Sequence, residues 1–391
     1  MKRFRNWILF FFLIFSIRTN AQDSTSYLTI KQCVDLAIKN NLQIQQSEIT
    51  LEQNGVAFKQ AKDNLLPQIN GTIQQQNNYG RSISNVNNAY VDLQNGSGNY
   101  SLNGSLTLFS GLTLINSIKA NALNYNASKM DLQQQKDNIT LNVILTYLIV
   151  LSNQEQLDIA RHQSEVDLRQ VERLQIQNQE GAIAPATLYD LKGQYANDQV
   201  NVVTALNALE ISKVNLFAVL NVPYQKDAHY EMVSMNADIL DLQTPSDSVF
   251  QRALQIIPNI KANDLRVQSY DKYISVYKGR MWPTLSLYGN LNSNYSSIAT
   301  TGLPGTGTPQ GTGGYVTVAG SQYDVFANSL ATQKTAFADQ VKNNRFQSVG
   351  LQLSIPILNF FTARNNVKVA RLNYLNAKVL SNASRNQLQH K

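Results

Sequence analysis

The chain says nearly the same thing twice, and that constrains its fold more than any motif does. From Val34 it reads VDLAIKNNLQI and breaks at LLPQI; from Phe250 it reads FQRALQIIPNI and breaks at MWPTL. One offset of 216 carries Ala37 to Ala253, Ile38 to Leu254, Ile44 to Ile260 and Pro67 to Pro283. Further on, LNGSLTLFSGLTLINSIKANALNY aligns with LQLSIPILNFFTARNNVKVARLNY at an offset of 249, carrying Leu106 to Ile355, Lys119 to Lys368, Leu123 to Leu372 and Tyr125 to Tyr374. A duplicated unit sets the architecture. The 391 residues therefore read as one body of two similar halves, each ordered helix, strand, strand, helix.

The formal charge is +7, but Lys2, Arg3, Arg5 and Arg18 all lie ahead of Ala21, and setting them aside leaves +3. No nucleic-acid partner is implied by so even a balance. Those basic residues, the apolar run Trp7 to Ile17 and the small residues near Ala21 read as a secretory signal over 1–21, cleaved after Ala21. An uncleaved anchor is the competing reading, but the run is 11 residues against the roughly 20 that a spanning helix needs. No Cys follows the cleavage point, so no lipidated N-terminus is expected. No later stretch reads as apolar enough to span as a helix. Cys33 is the lone cysteine, which excludes a disulfide framework or a cysteine metal site within one chain.

Four segments read as strands, at about 67–79, 100–109, 283–295 and 346–357. In the third, Leu285, Leu287, Gly289 and Leu291 alternate with Ser286, Tyr288, Asn290 and Asn292. Val349, Leu351, Leu353 and Ile355 alternate with Gln352 and Ser354; Leu102, Leu106 and Leu108 alternate with Asn103, Ser105 and Thr107. Ile69 and Ile73 mark the weaker first strand. A period of two means one greasy and one wet face. A length of about 10 residues suits a tilted membrane strand, and Asn, Gln and Ser suit a watery lumen. Four strands cannot close a barrel, since the smallest spanning barrels have about eight. An open edge in lipid would strand backbone groups at several kcal/mol each. Several chains must then share one barrel, and three would supply 12 strands. The Asn-, Ser- and Gly-rich stretch 79–98 and the Gly- and Thr-rich stretch 295–321 read as long loops. The glycines of GLPGTGTPQGTGG do not read as a phosphate cradle, because no Lys-Ser/Thr and no helix follows.

Between Gly111 and Gln179 there is neither Pro nor Gly, which predicts a rod of roughly 100 Å. Ile118, Tyr125, Leu132 and Ile139 recur every seven residues. After a turn at Gly181 to Pro185, the seam Leu188, Tyr195, Val202, Leu209 and Leu216 keeps that interval, so 111–222 reads as an antiparallel coiled-coil hairpin. Leu28 to Leu66 and Ser246 to Trp282 read as shorter helices. The strand-entry prolines Pro67 and Pro283 end them, since proline disfavours helix in the residue before it. The first repeat then covers 22–222 and the second 246–391. The segment 223–245 joins them and is the candidate for a side (equatorial) domain.

These residues resemble the TolC-like outer membrane efflux protein family, and the resemblance covers essentially the whole mature chain. It rests on LTIKQCVDLAIKNN, the LLP and MWP strand entries, the LTLFSG and LSIPILN junctions, the tip EGAIAPATLYDL and the closing VLNVP. It implies a homotrimer with a 12-stranded barrel in the outer membrane and a helical tunnel in the periplasm. It further implies a passive exit duct for small molecules, metals or proteins, working with a periplasmic adaptor protein and an inner-membrane pump. The family's adaptor contact at the tip would fall on Gly181, Ala182, Ile183, Ala184, Thr187 and Leu188; alternatively Gly181 merely permits the turn. Two departures stand out. The junction glycine is Gly111 in the first repeat but Phe360 in the second, which leaves that corner open. The stretch Phe109 to Val222 has only Leu358 to Lys391 as its counterpart, so roughly 80 residues of an inner hairpin are missing from the second repeat. The shortfall reads as a fragment or a short variant, the fragment being preferred because Val367, Leu372, Leu375 and Val379 otherwise lack a partner helix.

An enzyme fits poorly. His162, His229 and His390 have neither metal-ligand nor triad spacing, and Asp190 beside Tyr189 reads as a solvated helix residue. No catalytic residue, cofactor or metal is expected. A secreted coiled-coil scaffold without transport activity is the remaining rival. It would be released from envelopes by carbonate, and the alternating strands argue against it. A diffusion porin would need many more strands and no such helices.

Overall fold

The computed structural model describes residues 27–83, 90–233, 245–304 and 307–389. The signal segment 1–21 and part of the joining segment 223–245 lie outside them. The molecule divides into two units, one of residues up to Leu51 with Lys129–Pro258, the other of Glu52–Ser128 with Asn259–Lys391.

The first repeat opens with α1 (Ile30–Asn40) and α2 (Leu42–Asp63), the second with α5 (Ser246–Ile256) and α6 (Pro258–Gly279). Each of these stretches, read as one helix in the sequence, is thus two, and the breaks fall at equivalent positions. Asn41 and Ile257 both take extended backbone and return their N–H to Ala37 and Ala253. Asn41 then caps the next helix, its side-chain oxygen accepting from the N–H groups of Gln43 and Ile44. In the second repeat Pro258 starts α6, where its missing N–H costs nothing.

In the first unit the long helix α3 (Thr113–Gln179), from Lys129 onward, and its return α4 (Pro185–Leu220) bury a common core. Ile139, Val143, Tyr147, Val150 and Leu157 of α3 meet Ala205, Leu209, Leu216 and Leu220 of α4, and Cys33, Ala37 and Ile44 close the cluster. The Tyr147 hydroxyl lies 2.6 Å from the Leu28 carbonyl and 2.8 Å from that of Glu231, holding the chain on both sides of α1–α4. Burial pushes the Tyr147 phenol up to about 12 and the Cys33 thiol up to about 11. Both stay neutral, as a dry core requires. Contrary to the sequence expectation, α4 is long and apolar enough by composition to cross a membrane. Part of that apolar surface is the seam against α3, where Leu209, Leu216 and Leu220 are buried, while Val200, Val203 and Ile211 are exposed. That seam also buries Asp198 and Ser212, groups that are costly in hydrocarbon.

The second unit carries a four-stranded antiparallel sheet in the order β1 (Gln68–Ile83), β2 (Tyr90–Phe109), β3 (Thr284–Ser296) and β8 (Phe346–Ser354). Gln68 pairs with Ser105 in the first repeat, and Thr284 with Ser354 in the second. Under the two sequence offsets these are the same register. Between β3 and β8 the stretch read as loop is structured. The strands β4 (Thr300–Gly302) and β7 (Thr332–Lys334) pair, and β5 (Thr308–Val318) pairs with β6 (Ser321–Ser329). A seven-residue helix α7 (Phe337–Asn343) leads into β8. The glycine-rich run has no strand alternation of its own, because the pairing that orders it comes from a partner beyond it, with Tyr323 and Val325. The helix α8 (Thr362–Gln389) follows and sits on α6. Arg385 grips Asp264 with two 2.8 Å contacts, and Val367, Ala370 and Ala377 are buried. Leu372, Leu375 and Val379 stay exposed.

Candidate functional site

The sheet sorts its side chains by chemistry. Register places Ile69 and Ile73 of β1, Leu102 and Leu106 of β2, Leu285, Leu287 and Leu291 of β3, and Val349, Leu351 and Leu353 of β8 on one face. A register shift between Thr107 and Phe109 sets Phe109, rather than Leu108, opposite Leu285. The opposite face carries Asn70, Thr72 and Gln74, then Asn103 and Ser105, then Ser286, Asn290 and Asn292, then Ser348 and Gln352. Leucines exposed on a sheet face suit hydrocarbon, and the amides opposite suit water. The outer edges of β1 and β8 have no partner among the described residues.

Helix enters and leaves this sheet through two left-handed corners. Gly111 and Leu112 take φ of 60° and 62°; Phe360 and Phe361, their equivalents, take 53° and 58°. The corner that the sequence left open is therefore the same in both repeats. Their surroundings differ. A Cβ on Gly111 would collide with the Gly279 carbonyl and with Trp282, so the first corner is closed against the end of α6. Phe360 is 94% exposed, with Ile357 at 92% and Leu358 at 78%.

At the far end of the hairpin, Gly181 has φ of 76° and nothing within 4 Å of where a Cβ would stand, so conformation rather than space calls for glycine. The Ala182 N–H returns to Gln177 and the Gly181 N–H to Asn178, ending α3 in a Schellman turn. Ala184 is the N-cap of α4, with Pro185 at its first position. Ile183 is half-buried, Ala182 and Thr187 are exposed, and Leu188 is buried. Along the seam Leu209 and Leu216 are buried while Tyr195 and Val202 are half-buried. Pro67 and Pro283 each stand between a helix end and the first strand residue.

One feature has no motif to announce it. Asp167 of α3 and Asp198 of α4 are both nearly inaccessible, 5% and 4% exposed, and they face each other across the hairpin. Gln163 and Gln194 each donate to one of them. A hydrogen bond with Asp167 raises the Asp198 carboxyl above its ordinary value, and burial adds to it. The one sequence signal is position: Asp198 lies three places after Tyr195, on the seam itself. No group of three or more His, Cys, Asp or Glu among the described residues could hold a metal.

Residues 33–222 match the model of the outer membrane efflux protein family. Among solved structures, CusC, described as forming a transmembrane channel, matches with a TM-score of 0.70 at 15% identity, over 95% of this chain and 76% of that one. The Campylobacter jejuni CmeC outer membrane channel gives 0.69 at 18% identity, over 91% and 67%. The open state of the Neisseria gonorrhoeae MtrE outer membrane channel gives 0.62 at 14%, over 92% and 70%. No curated protein matches by sequence. Identities this low establish a shared fold, the TolC-like channel fold of helices and barrel-type strands. Over 33–222, just under half of its length, the chain matches the outer membrane efflux protein family, and its fold is that of the TolC-like channels. The family consists of passive channels rather than enzymes.

Proposed function

We propose that three copies of this chain form one outer-membrane exit duct, each giving β1, β2, β3 and β8 to a 12-stranded barrel and its helices to a periplasmic tunnel. The observation that carries this reading is the uncovered second corner. Repetition makes the β8–β1 junction between copies equivalent to the β2–β3 junction within one. Phe360 of one copy would then meet the end of α2 in the next, where Leu65 and Leu66 are 45% and 64% exposed. Covering Ile357, Leu358, Phe360 and Phe361 would contribute roughly 1.5–3 kcal/mol each as an upper estimate. The strand pairing would remove open edges at several kcal/mol per group.

The duct is passive. A pump in the inner membrane supplies the energy and a periplasmic adaptor docks at Gly181 to Leu188, passing small molecules, metals or proteins outward. Residues 1–21 serve as the export signal, 22–222 and 246–391 as the two repeats, and 223–245 as the segment between them.

Junction equivalence carries the pair Ser105 and Tyr288 to Ser354 of one copy and Thr72 of the next. The double variant Thr72→Cys, Ser354→Cys, with Cys33→Ser, should give covalent dimers and trimers that reductant dissolves. Within one chain these positions are three strand spacings apart, about 14 Å, beyond a disulfide's reach. Monomer alone on a non-reducing gel would overturn the trimer. At the tip, Ile183→Asp should weaken crosslinking to an adaptor while leaving trimers intact; unchanged crosslinking would remove the tip assignment.

A further inference from the structure

The apolar face of the sheet is not uniform. Near the β3–β8 insertion, α7 lies across it. The Ser293 hydroxyl donates to the Val341 carbonyl at 2.7 Å, and Phe337 stacks edge-on against Tyr295 and Tyr100 at 5.2 and 5.8 Å. The buried Gln340 side chain fixes the helix by bonding both the N–H and the carbonyl of Ser296. Between α7 and the strands runs a groove of about 480 Å³, walled by Ile73, Tyr100, Leu102, Leu291 and Val341, with Arg345 at its side. Gly71 also lines it. That volume falls in the roughly 300–1,000 Å³ range of ligand sites.

We infer that this groove holds one acyl chain of an anionic membrane lipid, whose phosphate is bound by Arg345 with Lys342 nearby in sequence. The wall is apolar and belongs to the face that meets hydrocarbon. Arg345 is exposed and stands beyond the end of α7, six residues from that helix's one acid, Asp339, while Lys342 lies in its last turn, three residues from that acid. A cation beside a hydrocarbon slot at a membrane boundary complements a lipid with a charged head rather than a protein helix or a neutral solute. A tyrosine pair at the same level matches the aromatic girdle of a membrane interface. The inference rests on this face meeting lipid, as the duct reading requires.

The test uses the full chain purified in detergent, with native mass spectrometry counting retained lipid. The probes are phosphatidylglycerol and phosphatidylcholine of identical chains, chosen because they differ in net charge. Phosphatidylglycerol should bind about five- to tenfold more tightly. Arg345→Glu should erase that preference. Gly71→Leu, whose side chain enters the groove with its Cβ at ordinary contact distance from Leu102, should reduce binding of both lipids. Equal binding of the two lipids, no effect of Arg345→Glu, or displacement of phosphatidylglycerol by millimolar inorganic phosphate would each overturn the site. Trimer bands on gels, scored in the same samples, report the barrel independently: wild type without trimers refutes the duct, whereas trimers without lipid preference refute only the groove.

Discussion

Two corners with one backbone conformation sit in opposite surroundings. Gly111 and Leu112, at φ of 60° and 62°, are as left-handed as Phe360 and Phe361, at 53° and 58°. Yet the first corner is closed against Gly279 and Trp282, and the second stands open to solvent. Conformation at these corners is set by the strand-to-helix geometry. Residue choice is set by what lies alongside. Two phenylalanines held left-handed cost about 1–2 kcal/mol each, a cost that needs an offsetting contact, and within one copy none of that size covers Phe360. The repeats differ likewise in their acids. Asp198 faces another aspartate, whereas Asp264 is gripped by Arg385.

The largest effect should come from forcing the first corner to resemble the second. Gly111→Phe drives a side chain into the Gly279 carbonyl and should destabilise by more than ~3 kcal/mol, read as a lowered urea midpoint and lost trimers. A near-normal midpoint would mean that the corner has slack the structure does not show. The reverse change, Phe360→Gly, relieves about 1–2 kcal/mol of backbone strain but deletes an apolar contact between copies. Trimers should therefore melt at lower temperature while helix content by circular dichroism is unchanged; a more heat-resistant trimer would show that Phe360 is not at an interface. The smallest effect concerns the acid pair. Because the folded Asp198 carboxyl is raised, its contribution is complete below the unfolded value near 3.8 and declines as pH rises through the folded value. The hairpin should melt at lower temperature at neutral pH than near the unfolded value of 3.8, and Asp198→Asn should flatten that slope. An identical slope in the variant would remove the pair from the explanation.

Much of this architecture was legible in the residues. The offsets of 216 and 249 predict two similar units, and the hairpin registers Gln68↔Ser105 and Thr284↔Ser354 obey both. Alternation at Leu285 to Asn292 and heptads from Leu188 to Leu216 are local periodicities, which one strand or helix writes into its own sequence. The break at Ile257 carries a signal that the single-helix reading passes over, Pro258, which disfavours helix in the residue before it. The break at Asn41 has no such mark, because a capped two-helix join differs from a continuous helix by a single extended residue.

What the chain by itself determined was therefore the repeat, the strand faces and the hairpin seam, since each follows from spacing along a single element. Tertiary structure alone decided that Asp167 meets Asp198, that Gly111 abuts Gly279, that α7 roofs a groove beside Arg345 and that Phe360 is left uncovered. Each of those depends on residues tens to hundreds of positions apart, and contact between distant segments is fixed by packing geometry that no local periodicity records.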